Sequence, residues 1–234
     1  MLKLMKLEYK KHRLSRYIKN VVICILAIFF IAALMGWGSR NEIEPMYPDY
    51  ADFMSLANIF IRIVFICFSS VILSRLVIDE YKNKTIQLLF TYPLKRKKLM
   101  QAKLLIVFVF CFVSIIIATF IIDLLIFWIN PHIYLVEKPV KVNDIISTVP
   151  STIIGALMMA GVSLIPLFFG MRKKSVATTI TSSLVIGFLI NATISSGGET
   201  VSLYEIVAIP GVLCLLGLLI GYLAIRKVDS VDIA

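Results

Sequence analysis

A chain of 234 residues that is 59% hydrophobic, only 16% charged and has a mean hydropathy of +0.93 lies far from the roughly 25% charged residues of an average soluble domain. This excludes an ordinary water-soluble enzyme or binding module. The apolar residues come in runs of about 20, the length that crosses roughly 30 Å of hydrocarbon as an α-helix, so the expected fold is an all-α, polytopic membrane protein.

The first eighteen residues, MLKLMKLEYKKHRLSRYI, carry many bases and lead into an apolar run with no small-residue cleavage site, so they are not read as a signal peptide. Leu4, Leu7, Leu14 and Ile18 fall near one helical face, interrupted by Lys11. An interfacial helix over 1–18, lying on the membrane surface, is expected; the competing reading is a basic tail that serves only topology. Six spans follow, at about 19–37, 56–77, 103–129, 150–170, 176–195 and 204–225, forming one transmembrane domain over 1–234. Cys24, Cys67, Cys111 and Cys214 each fall inside or at the edge of an apolar run, without CxxC spacing or His neighbours, so neither a disulfide framework nor a metal site is expected.

The gaps between spans alternate in charge. With both termini in the cytosol, all of the 24 Lys and Arg except Arg40, Arg62, Lys138 and Lys141 fall on the inner side, as the positive-inside rule requires. Most acids, Glu42, Glu44, Asp49 and Asp52 among them, fall outside. The net charge of +10 thus reflects orientation over an anionic inner leaflet, and nucleic acid is not an expected partner. The expected location is a bacterial plasma membrane.

An ionisable group at the centre of a span costs about 2.5–3.5 kcal/mol on insertion scales, so each asks for a partner or a purpose. Arg75, close to the inner end of span two, can snorkel or pair with Asp79. Arg62 and Asp123 each lie about six residues below the outer end of their span, roughly 9 Å deep at 1.5 Å per residue, and are expected to form an ion pair or shared polar layer. That pair serves either a substrate path or structure alone. Span five carries Thr178, Thr179, Thr181, Ser182, Ser183 and Asn191; small hydroxyl residues allow close packing and bonds across a helix interface, and Thr178, Thr181, Ser182 and Asn191 are the candidates for a pathway or subunit contact. Pro166 and Pro210 should kink or interrupt spans four and six.

Catalytic chemistry is poorly supported. The two histidines are His12 and His132; GVSLI around Ser163 lacks the second Gly of a nucleophile elbow; no HExxH appears; and GMRKKS at 170–175 misses the phosphate-loop spacing. No catalytic or metal-binding residue is assigned, and any ATP must be bound by another chain.

Between spans two and three runs DEYKNKTIQLLFTYPLKRKKLMQAK, residues 79–103. Thr85, Ile86, Leu89 and Phe90 give an i, i+3, i+4 apolar face within 84–92, enough for two turns of amphipathic helix, and Pro93 stops it. Such a segment offers a docking surface to a soluble partner on the basic side.

This stretch resembles the signature of ABC-2 type transporter permeases, E-x-x-x-G-T-L-E-x-L-L-x-x-P-x-x-R-x-x-L-x-x-G-K. Glu80, Thr85, Leu88, Leu89, Pro93, Arg96, Leu99 and Lys103 match it without a gap, while Lys84, Ile86, Gln87 and Ala102 depart from it. The resemblance implies that 84–92 is a coupling helix seated on a separate ATP-binding subunit that holds ATP and Mg. Glu80, Thr85, Ile86, Leu88, Leu89, Phe90, Pro93, Arg96 and Lys103 would then be its coupling residues. It further implies a second permease, identical or related, to complete the pore. The small size and short outer loops resemble permeases that export or confer resistance to amphipathic peptides, such as bacitracin, bacteriocins and phenol-soluble modulins. A non-transporting scaffold or sensor subunit, and a permease for lipids, drugs or ions, are the alternative functions.

Overall fold

The computed structural model describes residues 5, 8, 15–38, 47–82, 96–133, 135–136, 138–196, 199–204 and 208–227. These form α1 (Ser15–Gly38), α2 (Tyr50–Leu73) continuing through a π-helical turn (Ser74–Ile78) into α3 (Asp79–Lys82), then α4 (Arg96–Ile133), α5 (Val142–Val162), α6 (Pro166–Lys173) and α7 (Val176–Ile190). A hairpin of β1 (Thr193–Ser196) and β2 (Glu199–Ser202) precedes α8 (Ala208–Lys227). The architecture is that of an all-α polytopic membrane protein, with this antiparallel hairpin, Thr193 opposite Ser202 and Ser196 opposite Glu199, as its one two-stranded element among the described residues.

The longest helix, α4, runs unbroken because breakers are absent from its interior. In α4 the 38 residues hold no glycine and only Pro131, in the last turn, so the helix reaches about 57 Å at 1.5 Å per residue, beyond the hydrocarbon at one or both ends. At the end opposite the basic residues, α2 and α5 begin alike: Asp52 Oδ2 accepts from the Asp49 amide at 3.2 Å and Asp144 Oδ2 from the Lys141 amide at 3.1 Å. A carboxylate in the first turn satisfies an orphan N–H and complements the helix dipole.

Proline acts where the backbone can tolerate it. Pro166 opens α6 after a turn at Ser163–Ile165, so the expected fourth span is two helices. Pro210 falls in the first turn of α8, where it interrupts nothing because the first amides have no acceptor in the helix. Pro150 sits inside α5; around it Ser147, Thr148 and Ser151 each donate back to a carbonyl at 2.8 Å, supplying local bonds where the proline removes one.

Among the described residues, five helical stretches are long and apolar enough to cross a membrane: Tyr17–Gly38, Tyr50–Ile78, Lys97–Ile133, Val142–Lys173 and Ala208–Arg226. The expected span 176–195 is shorter. Its helix stops at Ile190 after 15 residues, about 22 Å. The Asn191 amide group donates to the Gly187 carbonyl at 2.8 Å, closing the last turn from its C-terminal side, and the β-branched, hydroxyl-rich chain beyond it pairs as the hairpin.

Two apolar cores lie along the bundle. One joins Ile25, Phe53, Ile61, Phe65, Ile122 and Met159. The other, toward the basic end, joins Ile72, Leu76, Ile78, Met100, Val107, Leu164 and Leu167. Phe68 and Phe110 stack at 6.0 Å between centroids and border both. α5 and α8 cross so closely that a Cβ on Gly217 would overlap the Gly161 carbonyl. Outward faces are apolar: Phe30, Trp128, Phe188 and Leu215 are each more than 60% exposed, a pattern suited to lipid rather than water.

Of the expected interfacial helix, Met5 packs against the basic-end core and Glu8 is buried; residues 1–4, 6–7 and 9–14 lie outside the described residues.

Candidate functional site: the connection root and the buried polar groups

The helix that starts at Tyr50 does not end where its apolar run ends. It widens at Ser74–Ile78, where the Asp79 amide donates to the Ser74 carbonyl, five residues back, and the Ser74 hydroxyl donates to the Val71 carbonyl at 2.8 Å. π turns are rare and recur at functional sites because they re-aim carbonyls and side chains. Here the Leu76 carbonyl accepts from Lys103 Nζ, on α4, at 2.8 Å. Lys103 Nζ also donates to Glu80 Oε2 in a direct ion pair. Lys103 is 3% exposed and Glu80 7%, whereas neighbouring Lys97 and Lys98 are exposed.

Glu80 and Lys103 stand at the two ends of the signature-like stretch, and the structure brings them together. Leu99 and Ala102 are buried beside them. The smallness of Ala102, where glycine is usual in the signature, fits its full burial. Arg96 opens α4. Thr85, Ile86, Leu88, Leu89, Phe90 and Pro93, with the expected helix 84–92, lie outside the described residues. Arg75 does not reach Asp79; its guanidinium lies over the Tyr17 ring, 5.5 Å from the centroid.

Toward the opposite end, Asp123 accepts a 2.6 Å hydrogen bond from the Tyr50 hydroxyl, and both are buried. Arg62 is placed differently, its guanidinium 3.5 Å from the centre of the Tyr204 ring. No ion pair joins Arg62 to Asp123 among the described residues. The reason is register. α2 begins at Tyr50 rather than near residue 56, so Asp123 is level with its first turn, and Arg62 lies a further 12 residues, about 18 Å, along the axis. A second pair, Lys138 Nζ to Asp49 Oδ1 at 2.7 Å, is exposed at this end; pairs of that kind contribute little.

The α7 hydroxyls turn inward on their own helix. Thr178 and Thr179 donate to the Ser175 carbonyl, Thr181 to Ala177 and Ser182 to Thr179, at 2.9–3.0 Å. The buried stripe is Thr179, Ser183, Gly187 and Ile190. A Cβ on Gly170 of α6 would overlap the Thr179 hydroxyl, and Gly187 packs against Ile63 of α2. Of the expected pathway candidates, Thr181 is exposed and Thr178, Ser182 and Asn191 are half-buried. Sequence reasoning missed Tyr50, Tyr204 and the mutual contact of Glu80 and Lys103. Only the last left a signal, the fixed spacing of the two signature ends.

Residues 4–191 match the family described as ABC-2 family transporter protein. An uncharacterized protein of Bacillus subtilis (strain 168), YcbO, is 35% identical over 229 residues, covering 98% of this chain and 99% of that protein. No solved structure matches the chain. With a match over most of its length and a helical membrane architecture to go with it, the chain belongs to the ABC-2 transporter family and is a membrane-spanning permease.

Proposed function

We propose that this permease works in an ATP-driven exporter that moves amphipathic peptides out of the cell or its membrane. A separate ATP-binding subunit, holding ATP and Mg, docks on the 84–92 segment from the cytosol; both termini share that side, and a second permease completes the pore. The observation that carries the reading is the basic connection between α3 and α4, which resembles the family signature and whose two ends are fixed to one another by the Glu80–Lys103 pair. A partner that closes on ATP can do work on the pore only through differential affinity for two of its arrangements, and a segment anchored to two long helices at once is suited to convey that difference. The short outer connections, 39–49, 134–141 and 191–207, leave no room for a domain that handles folded cargo, which favours substrates that partition into the leaflet.

The test is co-purification with candidate ATP-binding subunits, the one encoded beside this gene first, followed by reconstitution and a screen of amphipathic peptides. Several-fold stimulation of ATP hydrolysis with peptide efflux is the expected result. A complex that forms but responds to no peptide overturns the cargo assignment, and a chain that recruits no ATP-binding subunit overturns the exporter itself.

A further inference from the structure

Glu80 and Lys103 match the signature of a coupling segment, which would make them contacts for the ATP-binding subunit. Their burial argues otherwise. At 7% and 3% exposure, neither side chain can reach a docked protein without leaving its partner. Lys103 Nζ donates inward, to Glu80 and to the Leu76 carbonyl of the π turn. We propose that Lys103 is a positioning residue: its ammonium ties α3 to α4 through Glu80 and holds the π turn through the Leu76 carbonyl, so that the two helices flanking the coupling segment keep one relative position when the ATP-binding subunit docks. This rests on the coupling function proposed above and deepens it.

Glu80 and Lys103 are separated by 23 positions. Joining them closes a loop over the whole connection, so the closure entropy is met by the folded permease and not at the moment of docking. A docking segment whose ends are already fixed loses less freedom on binding and binds more tightly for the same contacts. The pin also has a stiff seat. Leu76 and Ile78 on one side, and Met100 and Leu104 on the other, belong to the basic-end core, so displacement at the connection passes to α2 and α4 together. A buried ion pair is a poor source of net stability, since its desolvation cost offsets its attraction; what this one supplies is geometry. The second acceptor matters as much, because a carbonyl in a π turn is fixed in place when an ammonium holds it.

The experiment uses a full-length chain with Cys24, Cys67, Cys111 and Cys214 replaced by Ala, carrying Asp79→Cys and Lys98→Cys for spin labels, in lipid nanodiscs. It reads the width of the label-to-label distance distribution, the concentration of ATP-binding subunit that half-saturates the permease, and the ATP hydrolysis rate at saturation. Lys103→Met alone removes the ammonium from a buried carboxylate and risks misfolding, so the informative variant is the neutral pair Glu80→Gln with Lys103→Met. With the relative position of α3 and α4 no longer fixed, the distribution broadens and half-saturation rises about tenfold, while the rate at saturation stays within about twofold. Lys103→Arg, which can donate to both acceptors, restores half-saturation to within about threefold of wild type. A neutral pair that docks as tightly as the wild type overturns the proposal, even if the protein unfolds at lower temperature, since the pair would then be structural alone. A wild-type chain that recruits no ATP-binding subunit overturns the coupling function and this proposal with it.

Discussion

The Tyr50 hydroxyl donates to Asp123 Oδ1 at 2.6 Å, tying the first residue of α2 to a carboxylate ten positions before the end of α4. Both side chains are buried, so the phenol is the group that makes a carboxylate tolerable at that depth. Tyr50→Phe removes the donor and leaves the acceptor in place, a loss of about 1–2 kcal/mol. Asp123→Asn keeps an acceptor for the same hydroxyl and removes a buried charge. Thermal unfolding in detergent should therefore place Tyr50→Phe below wild type by several degrees, at about 2–4 °C per kcal/mol for a chain of this size, with Asp123→Asn at or above it. The reverse order would show that the charge, and not the hydrogen bond, holds the two helices.

Arg62 stands over the Tyr204 ring at 3.5 Å, and the same ring carries a hydroxyl that a Cβ on Gly155 would overlap. The ring is therefore confined by α5 while it covers the guanidinium from the segment before α8. A desolvated cation–π contact is worth about 2 kcal/mol. Tyr204→Phe retains the ring face and should unfold within ~0.5 kcal/mol of wild type, whereas Tyr204→Leu should lose about 1–2 kcal/mol. Equal losses in both would assign the contribution to the hydroxyl.

How much of this is legible in the sequence differs by kind of feature. Apolar runs locate the helices, because hydrocarbon thickness fixes how many consecutive apolar residues a span needs. Their ends are less legible. Residues 142–149 contain Asn143, Asp144, Ser147 and Thr148, which lower a hydropathy average but serve as a capped first turn and a hydroxyl-bonded stretch around Pro150. The Thr and Ser residues of 193–196 look compatible with a continuing helix until Asn191 ends it. Register between helices is not encoded in periodicity at all, which is why depth along the spans points Asp123 to Arg62 while in the structure it meets Tyr50. The Glu80–Lys103 contact is legible only as two matched letters of a signature; that they touch depends on how the intervening chain returns.

The crossing of α5 and α8 rests on hydrogen in place of a methyl group. A Cβ at Gly217 would overlap the Gly161 carbonyl, and one at Gly161 would overlap the Cys214 sulfur. Gly217→Ala therefore forces the helices apart, an overpacking cost of about 1–3 kcal/mol that exceeds the gain of up to ~1 kcal/mol from replacing glycine in a helix. At Gly211, on the same helix, an added methyl would meet nothing within 4 Å among the described residues, so Gly211→Ala should be neutral or stabilising by up to ~1 kcal/mol. Unfolding midpoints of the two variants separate packing from propensity, and equal shifts would remove the argument for a glycine-dependent crossing.

Leu89 belongs to the apolar face expected for 84–92. If that face seats on an ATP-binding subunit, Leu89→Asp places a carboxylate where an apolar contact is made, and desolvating it without a partner costs several kcal/mol. Because the residue belongs to the polar connection and not to a span, membrane insertion and the unfolding midpoint of the permease should stay at wild-type values. Recovery of the ATP-binding subunit on the purified permease should fall by at least about a hundredfold, which is roughly 2.7 kcal/mol, and peptide export should cease. Gln87→Asp, one position outside the apolar set Thr85, Ile86, Leu89 and Phe90, adds the same charge to the opposite face and should leave recovery near wild type. Normal ATP-dependent export by Leu89→Asp would mean that the partner grips some other surface.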